Sequence, residues 1–549
     1  MIETDLLVLG SGAGGLSAAI TAACLGCKVT VVEKTEYFGG TTALSGGAFW
    51  IPNNPYMTRE DSTENARKYL QAVIGDNFDD NMVSAFLANA PEMIDFLEKN
   101  TEAMRFWSAE FMPDYEPQVE CSSFGRSMSV PHFDASELGV NFDKLRPALK
   151  QLTVFNGMQV DAVDLGFLMN YNKSFSAFLY TTKLVLRYAF DWLRSRRGRV
   201  LKGGNAVAAR LLKASMDAGV TLIDKAPARK LIEENGRVVG AIVQIDNKEV
   251  EIRASKGVVI ATGGFAQNEK MVAEYIPFPE HHKSMLPEGN VGEGLELGMS
   301  VGGELGSGLS NNGCWTPVSV RKHADGSETR YPHIFLDRSR PGSILVNQSG
   351  RRFANEATHY QALVAAIQRT GSVPCWLIGS RSFISKYGLG LALPYMPVSS
   401  YVRDGYLIEG QSVSELAAKL GIDGQALEET FAQVNSDAAL GKDSLFARGD
   451  SVYDQVYGDP GHKPNPNFGA MGEGPYYAVK IVPGDLGTFV GLKTDNHAQV
   501  LRDGMPIPGL YAAGLDANTV MGGEYPGAGC SIGPALTFGY MAAKHACNA

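Results

Sequence analysis

Gly10-Ser11-Gly12-Ala13-Gly14-Gly15 joins a short apolar run, Leu6 to Leu9, to an apolar helical stretch that continues to Leu25. A second apolar run, Lys28 to Val32, ends at Glu33 and Lys34. Strand, G-x-G-x-x-G, helix, strand and acid in this order can hold the phosphates and ribose of a dinucleotide. Gly10 permits the tight turn, Gly12 lets a pyrophosphate approach the backbone, and Gly15 lets helix and strand pack closely. The helix N-terminus offers unpaired N–H groups and positive potential to the phosphates. Glu33 is placed to accept ribose hydroxyls.

A second loop rich in glycine and hydroxyls follows, with Gly39, Gly40, Thr41, Thr42, Ser45, Gly46 and Gly47. A nicotinamide enzyme seldom needs such a loop, whereas FAD is covered along its length. Two further strands end in glycine turns. Lys256 to Ile260 leads into Ala261, Thr262 and Gly263, and Gly509 to Ala513 leads into Gly514. Gly292-Glu293-Gly294 opens another helical stretch, where glycine lets the backbone come close to the cofactor. Signals so far apart in the chain are reconciled by one FAD domain with another domain inserted in it. The expected fold is α/β: a Rossmann-type FAD-binding domain over residues 1–285 and 485–549, interrupted by an α+β catalytic domain over 286–484. A helix, turn, helix pair is expected from Ser412 to Ala438, with Ser412 and Glu415 at capping-box spacing.

The 549 residues carry 49 Lys and Arg against 59 Asp and Glu, a net charge of −10 that argues against a general nucleic-acid binder. No apolar run reaches the roughly 18–20 residues needed to span a bilayer. The acidic start, Met-Ile-Glu-Thr-Asp, reads as neither a signal nor a transit peptide. Seven scattered cysteines fit free thiols in a reducing compartment, hence a cytoplasmic location, with Cys24 and Cys27 read as small buried residues. No cluster has metal-ligand spacing, so no metal is expected.

The glycine motifs together resemble the succinate dehydrogenase/fumarate reductase flavoprotein superfamily. Gly350-Arg351-Arg352-Phe353-Ala354-Asn355-Glu356-Ala357-Thr358-His359-Tyr360, Val482-Pro483-Gly484-Asp485-Leu486-Gly487-Thr488 and the run from Gly522 to Gly539 narrow the likeness. They are similar to the 3-ketosteroid dehydrogenases, above all the Δ1 enzymes. That resemblance implies FAD-dependent 1,2-desaturation of ring A in steroid degradation. A tyrosinate removes the C2 proton and flavin N5 takes the C1 hydride. It further implies that the Tyr525 hydroxyl and the Gly529 N–H polarise the ketone, that Tyr360 is the base, and that Tyr115 is its relay partner. Ser531 and Ile532, opening the last helix, would face the flavin. A quinone or similar external electron acceptor is expected, because no second nicotinamide fingerprint is present.

Three rivals stand beside this reading: a 3-ketosteroid Δ4-(5α)-dehydrogenase, a fumarate reductase-like flavoprotein, and an FAD-carrying binding protein. The Δ4 enzymes tend to carry a hydroxyl residue close after the Tyr, where Pro526-Gly527 stand here. A dicarboxylate reductase needs cations, yet Gly514 to Ala543 contains neither Lys nor Arg. An insert at about 151–202 stands out. Within it, 171–202 holds eight Lys/Arg against one Asp, interleaved with Phe175, Phe178, Leu179, Leu186, Phe190, Trp192 and Leu193. That composition suits a helix lying in a membrane interface, so peripheral association with the inner face of the membrane is an expectation; packing on protein is the alternative.

Overall fold

The apolar run at the N-terminus forms the strand Ile2–Leu9, and the glycine turn hands it to the helix Ala13–Cys24. A computed structural model describes residues 1–548. The strand lies parallel to Val29–Val32 on one side and to Lys248–Ile260 on the other; Met505–Ala512 then adds in parallel beyond Lys248–Ile260. The register decides where the cofactor end lies. Leu9 pairs with both Val32 and Ile260, and Ile260 pairs with Ala512. Four strand ends therefore stop at one level, and the turns that follow them converge on one crevice, as strand ends do at a switch point.

This sheet has eight strands, drawn from residues between 2 and 260 and between 499 and 512. Its parallel strands are buried on both faces: Leu6, Val8, Val29, Val31 and Val259 pack with the helices Ala13–Cys24, Gly203–Asp217 and Ile532–Asn548, while Leu7, Leu9, Val32, Val258 and Ile260 pack on the other side with Leu295 and Leu297, which explains their near-continuous apolar runs. A second sheet of six strands takes residues between 313 and 488 and is antiparallel throughout. Its longest strand, Tyr476–Thr488, runs through the anticipated junction at 484–485. The helix Tyr360–Arg369 packs on the strand Gly313–Lys322. The expected helix pair forms as Val413–Leu420 and Gly424–Leu440, with Ser412 Oγ accepting the Glu415 N–H.

The basic-aromatic insert folds as the helices Ala162–Met169 and Phe175–Ser195. Phe167 and Tyr180 stack at 4.2 Å, and Tyr180 Oη donates to Asp164 at 2.6 Å. Phe175, Leu186 and Leu193 are exposed at 78%, 65% and 73%. Two of the basic residues turn inward instead. Lys202 is buried against Asp161 and Asp164, and Arg197 donates to Leu145 O. Among the described residues no helix is long and apolar enough to cross a membrane.

Candidate active site

The converging turns line one cavity of about 300 Å³, whose wall runs from Leu9 to Ala535. One end is the crevice of the parallel sheet. Here a side chain at Gly12 would meet nothing nearer than Thr42 Oγ1 at 3.9 Å, so its backbone faces open space. A methyl at Gly15 would strike the Gly10 carbonyl, which is why helix and turn can close on each other only with glycine there. Glu33 sits at the end of its strand. Its carboxylate accepts from Ser11 Oγ at 2.6 Å and from the Thr35 N–H at 2.9 Å. Thr42 Oγ1 accepts the Ala13 N–H at 3.0 Å. Thr41 Oγ1 is buried, lines the cavity and has no partner, a hydroxyl left for a ligand.

Ala13, Gly14, Lys34, Gly40, Ser45, Gly46, Gly47, Ala261, Thr262, Gly263, Gly514, Ser531 and Ile532 also line the cavity. Gly15, Gly39 and Gly292 stand behind the wall instead. Gly15 serves the helix–strand contact; the Gly39 N–H donates to Ser11 O at 3.1 Å; Gly292, at φ 81°, precedes the helix Glu293–Ser300. These three shape the crevice through the backbone rather than facing a ligand.

Asp516 was missed by sequence reasoning. Fully buried, it accepts from the N–H groups of Thr262, Gly263 and Gly264 and from Thr262 Oγ1, and so holds the second glycine turn open. Its partners lie some 250 residues away, and no local pattern marks it. Glu293, ion-paired to Lys34, and Arg146, which donates to Thr35 Oγ1 at 3.0 Å, are likewise additions to the nucleotide end. The open face at Gly12, the unpartnered Thr41 hydroxyl and the Glu33 carboxylate together fit the phosphates and ribose of FAD.

At the other end the walls are apolar, with Met112, Leu149, Met285, Leu286, Phe335 and Leu486. Three phenols meet among them. Tyr115, Tyr360 and Tyr525 are each at most 5% exposed. The Tyr115 hydroxyl donates to Tyr360 Oη at 3.3 Å, and the three ring centroids lie 5.6–5.7 Å apart.

The elements that place them are distinct. Tyr360 opens the helix Tyr360–Arg369. Tyr115 is drawn to the last loop by its N–H, which donates to Pro526 O at 2.8 Å; Tyr69 Oη donates to the same carbonyl, also at 2.8 Å. Beneath that segment Asp114 accepts from Arg126 at 2.8 Å and from Trp50 Nε1 at 2.8 Å. Gly529, at φ 95°, lies on the cavity wall against Phe49 and Ala48, with no room for a side chain.

Burial pushes all three phenols well above 10; neighbouring phenols add to the rise at Tyr115 and Tyr360, and Cys314 adds to it at Tyr360 and Tyr525. Each is therefore a protonated hydrogen-bond donor at neutral pH. Tyr453, whose ring packs 5.0 Å from that of Tyr115, and His359, stacked on Tyr115 at 5.1 Å, complete the aromatic group. Among the described residues, the only Lys and Arg on the cavity wall are Lys34 and Arg146, both at the nucleotide end. Among the described residues the apolar end carries no Lys or Arg.

The chain matches the FAD binding domain family over residues 5–532. It is 36% identical to a 3-oxosteroid 1-dehydrogenase of Mycobacterium tuberculosis, over 99% of this chain and 98% of that protein. It is also 36% identical to a 4-oxocyclohex-2-ene-1-carboxylate 5-dehydrogenase of Sinomonas cyclohexanicum, over 99% of this chain and 93% of that one. Its structure superposes on a 3-ketosteroid Δ1-dehydrogenase of Sterolibacterium denitrificans, solved with 1,4-androstadiene-3,17-dione. The TM-score is 0.92, with 35% identity and all of both chains covered.

Proposed function

The chain belongs to the FAD binding domain family, and on that premise we propose that it desaturates ring A of a 3-ketosteroid between C1 and C2. Bound FAD supplies the acceptor for the hydride. The chain's own residues do the rest. The Tyr525 hydroxyl and the Gly529 N–H donate to the ketone oxygen and favour charge developing there. Tyr360 takes the C2 proton. Tyr115 donates to the Tyr360 oxygen and shares the charge as it forms. Gly10 to Gly14 and Glu33 would hold the phosphates and ribose of the cofactor, and Ser531 and Ile532 would serve its flavin. We assign 1–285 and 489–549 to cofactor binding and 286–488 to the substrate domain, the boundary moving from 484 to the end of the strand Tyr476–Thr488, which pairs within the six-stranded sheet.

The observation that carries this reading is the meeting of three buried phenols at the cation-free, apolar end of a cavity whose other end is the dinucleotide crevice. The same end separates two substrate classes among the relatives. A 4-oxocyclohexane carboxylate offers a ring ketone but also a charge, which needs a cation or water. A steroid offers the ketone and an apolar body. Anaerobic mixing with a ring-A-saturated 3-ketosteroid is expected to bleach the bound flavin, while 4-oxocyclohexanecarboxylate at equal concentration leaves it oxidised. Bleaching by the carboxylate alone would refute the steroid assignment, and a 4,5 double bond in the product would transfer it to the Δ4 class.

The exposed face of Phe175–Ser195 supports docking on an anionic membrane surface, where such a substrate dissolves and a quinone acceptor resides. Co-sedimentation with anionic but not neutral vesicles is expected; binding that is unchanged when 171–197 is removed would rule it out.

A further inference from the structure

The Tyr115–Tyr360 hydrogen bond joins two segments 245 residues apart, and one side chain touches both. His359 precedes Tyr360 and caps its helix, with Nδ1 accepting the Ala362 N–H at 3.3 Å. On the far side of the ring, Nε2 meets Glu116 Oε1 at 2.8 Å, and Glu116 follows Tyr115. Between these contacts the imidazole lies on the Tyr115 ring, with centroids 5.1 Å apart and planes inclined at 29°. Tyr453 closes the group edge-on to His359 at 6.0 Å.

These contacts fix the tautomer. A nitrogen that accepts a backbone N–H carries no proton, so the proton of the neutral ring is on Nε2 and is donated to Glu116. Charging the ring would put a second N–H at Nδ1, against that of Ala362. Burial opposes the charge on Glu116, yet the bond from His359 holds its carboxyl below the usual range. The Glu116 N–H in turn donates to Tyr69 Oη at 3.2 Å; Tyr69 bonds the Pro526 carbonyl of the loop that carries Tyr525. Glu524 is the other carboxylate near this pair.

We propose that His359, as the Nε2–H tautomer bridging the Tyr360 helix cap to Glu116, is a positioning residue that sets the Tyr115 hydroxyl on the Tyr360 hydroxyl and thereby the rate of proton removal. The inference rests on Tyr360 being the base. It explains why a histidine stands where Asn or Ser would cap as well: those residues neither cover the Tyr115 ring nor reach Glu116.

His359→Asn keeps a capping oxygen and loses both other contacts. A displacement of the relay phenol by about 1 Å is expected to lower kcat roughly ten- to a hundredfold, with KM changed less than about threefold and the flavin spectrum unaltered. Glu116→Leu, at a half-buried position, is expected to show the same split, and Glu116→Gln, which keeps an acceptor for Nε2–H, to lose clearly less. The double variant His359→Asn/Glu116→Leu is expected to lose no more than the worse single one, because the two residues act as one unit. Wild-type kcat in His359→Asn, or additive losses in the double variant, would overturn the proposal.

A readout without substrate separates this from the functional reading. In ¹⁵N-histidine-labelled holoenzyme, the signal missing from His359→Asn is expected to report a neutral ring protonated at Nε2. An imidazolium or an Nδ1–H ring would overturn the positioning role whatever ketone the enzyme oxidises. A wild-type enzyme that oxidises no ring ketone would overturn the base assignment on which it stands.

Discussion

Replacing Tyr525 by Phe removes one oxygen and leaves the packing. The ring sits 5.6 Å from Tyr360, 5.7 Å from Tyr115 and 6.4 Å from Phe489, all contacts that a phenylalanine keeps. At 5% exposure water cannot replace the lost donor without opening the site. Burial holds the Tyr525 proton on its oxygen, so the wild-type group is a donor over the whole working pH range. Removing one such donor from a developing oxyanion costs roughly 3–4 kcal/mol, or about 10²–10³ in rate, while the Gly529 N–H preserves the remainder. Stopped-flow bleaching of the flavin under anaerobic conditions, with saturating 3-ketosteroid, measures the step directly. The melting temperature and flavin content serve as controls and are expected to change little. A bleaching rate within about threefold of wild type would refute the carbonyl-polarising role, since the lost donor would then have contributed nothing to the step.

Tyr360→Phe is expected to bind FAD normally and to lose at least about 10²-fold in turnover; full activity would remove Tyr360 as the base. Because burial holds the Tyr360 phenol well above 10, the fraction ready to accept a proton grows with pH. The wild-type kcat/KM is therefore expected to climb from pH 7 to 9, and a profile falling over that range would contradict a phenol base. Asp516→Ala strips the acceptor from the Thr262, Gly263 and Gly264 N–H groups, and the purified protein is expected to lose most of its flavin, read from the visible absorbance per chain. Phe178→Ser/Leu186→Ser/Leu193→Ser, three changes on the exposed helix face, are expected to release the protein from anionic vesicles while ketosteroid oxidation in detergent solution persists.

The nucleotide end was legible because its chemistry is local. Gly10, Gly12 and Gly15 act within a few residues of one another, and the strands on either side are continuous apolar runs that periodicity finds. Register then brings the turns after Leu9, Ile260 and Ala512 to one level, and that step needs only parallel pairing. The phenol end was not legible from spacing. Tyr115, Tyr360 and Tyr525 come from a loop, a helix start and a tail turn, and only a family resemblance linked them. Asp516, Glu293, Arg146 and Tyr453 escaped for the same reason, since each acts on residues far away in the chain. His359 stood within a quoted motif, yet its partner Glu116 lies 243 residues away. Cys24 and Cys27, read as small buried residues, are free thiols and only half-buried, and Cys27 lies beside Cys547 of the last helix. In the basic insert, composition foretold the exposed aromatic face, but not that Arg197 and Lys202 turn back to anchor it.

Position-specific deuterium in the substrate tests the central chemistry most directly. With a ring-A-saturated 3-ketosteroid labelled at C1 or at C2, single-turnover bleaching is expected to slow in each case, and the product to carry its new double bond between those carbons. Slowing by label at C4 or C5 instead, with C1 and C2 silent, would contradict proton removal by Tyr360 beside a ketone held at Tyr525 and Gly529.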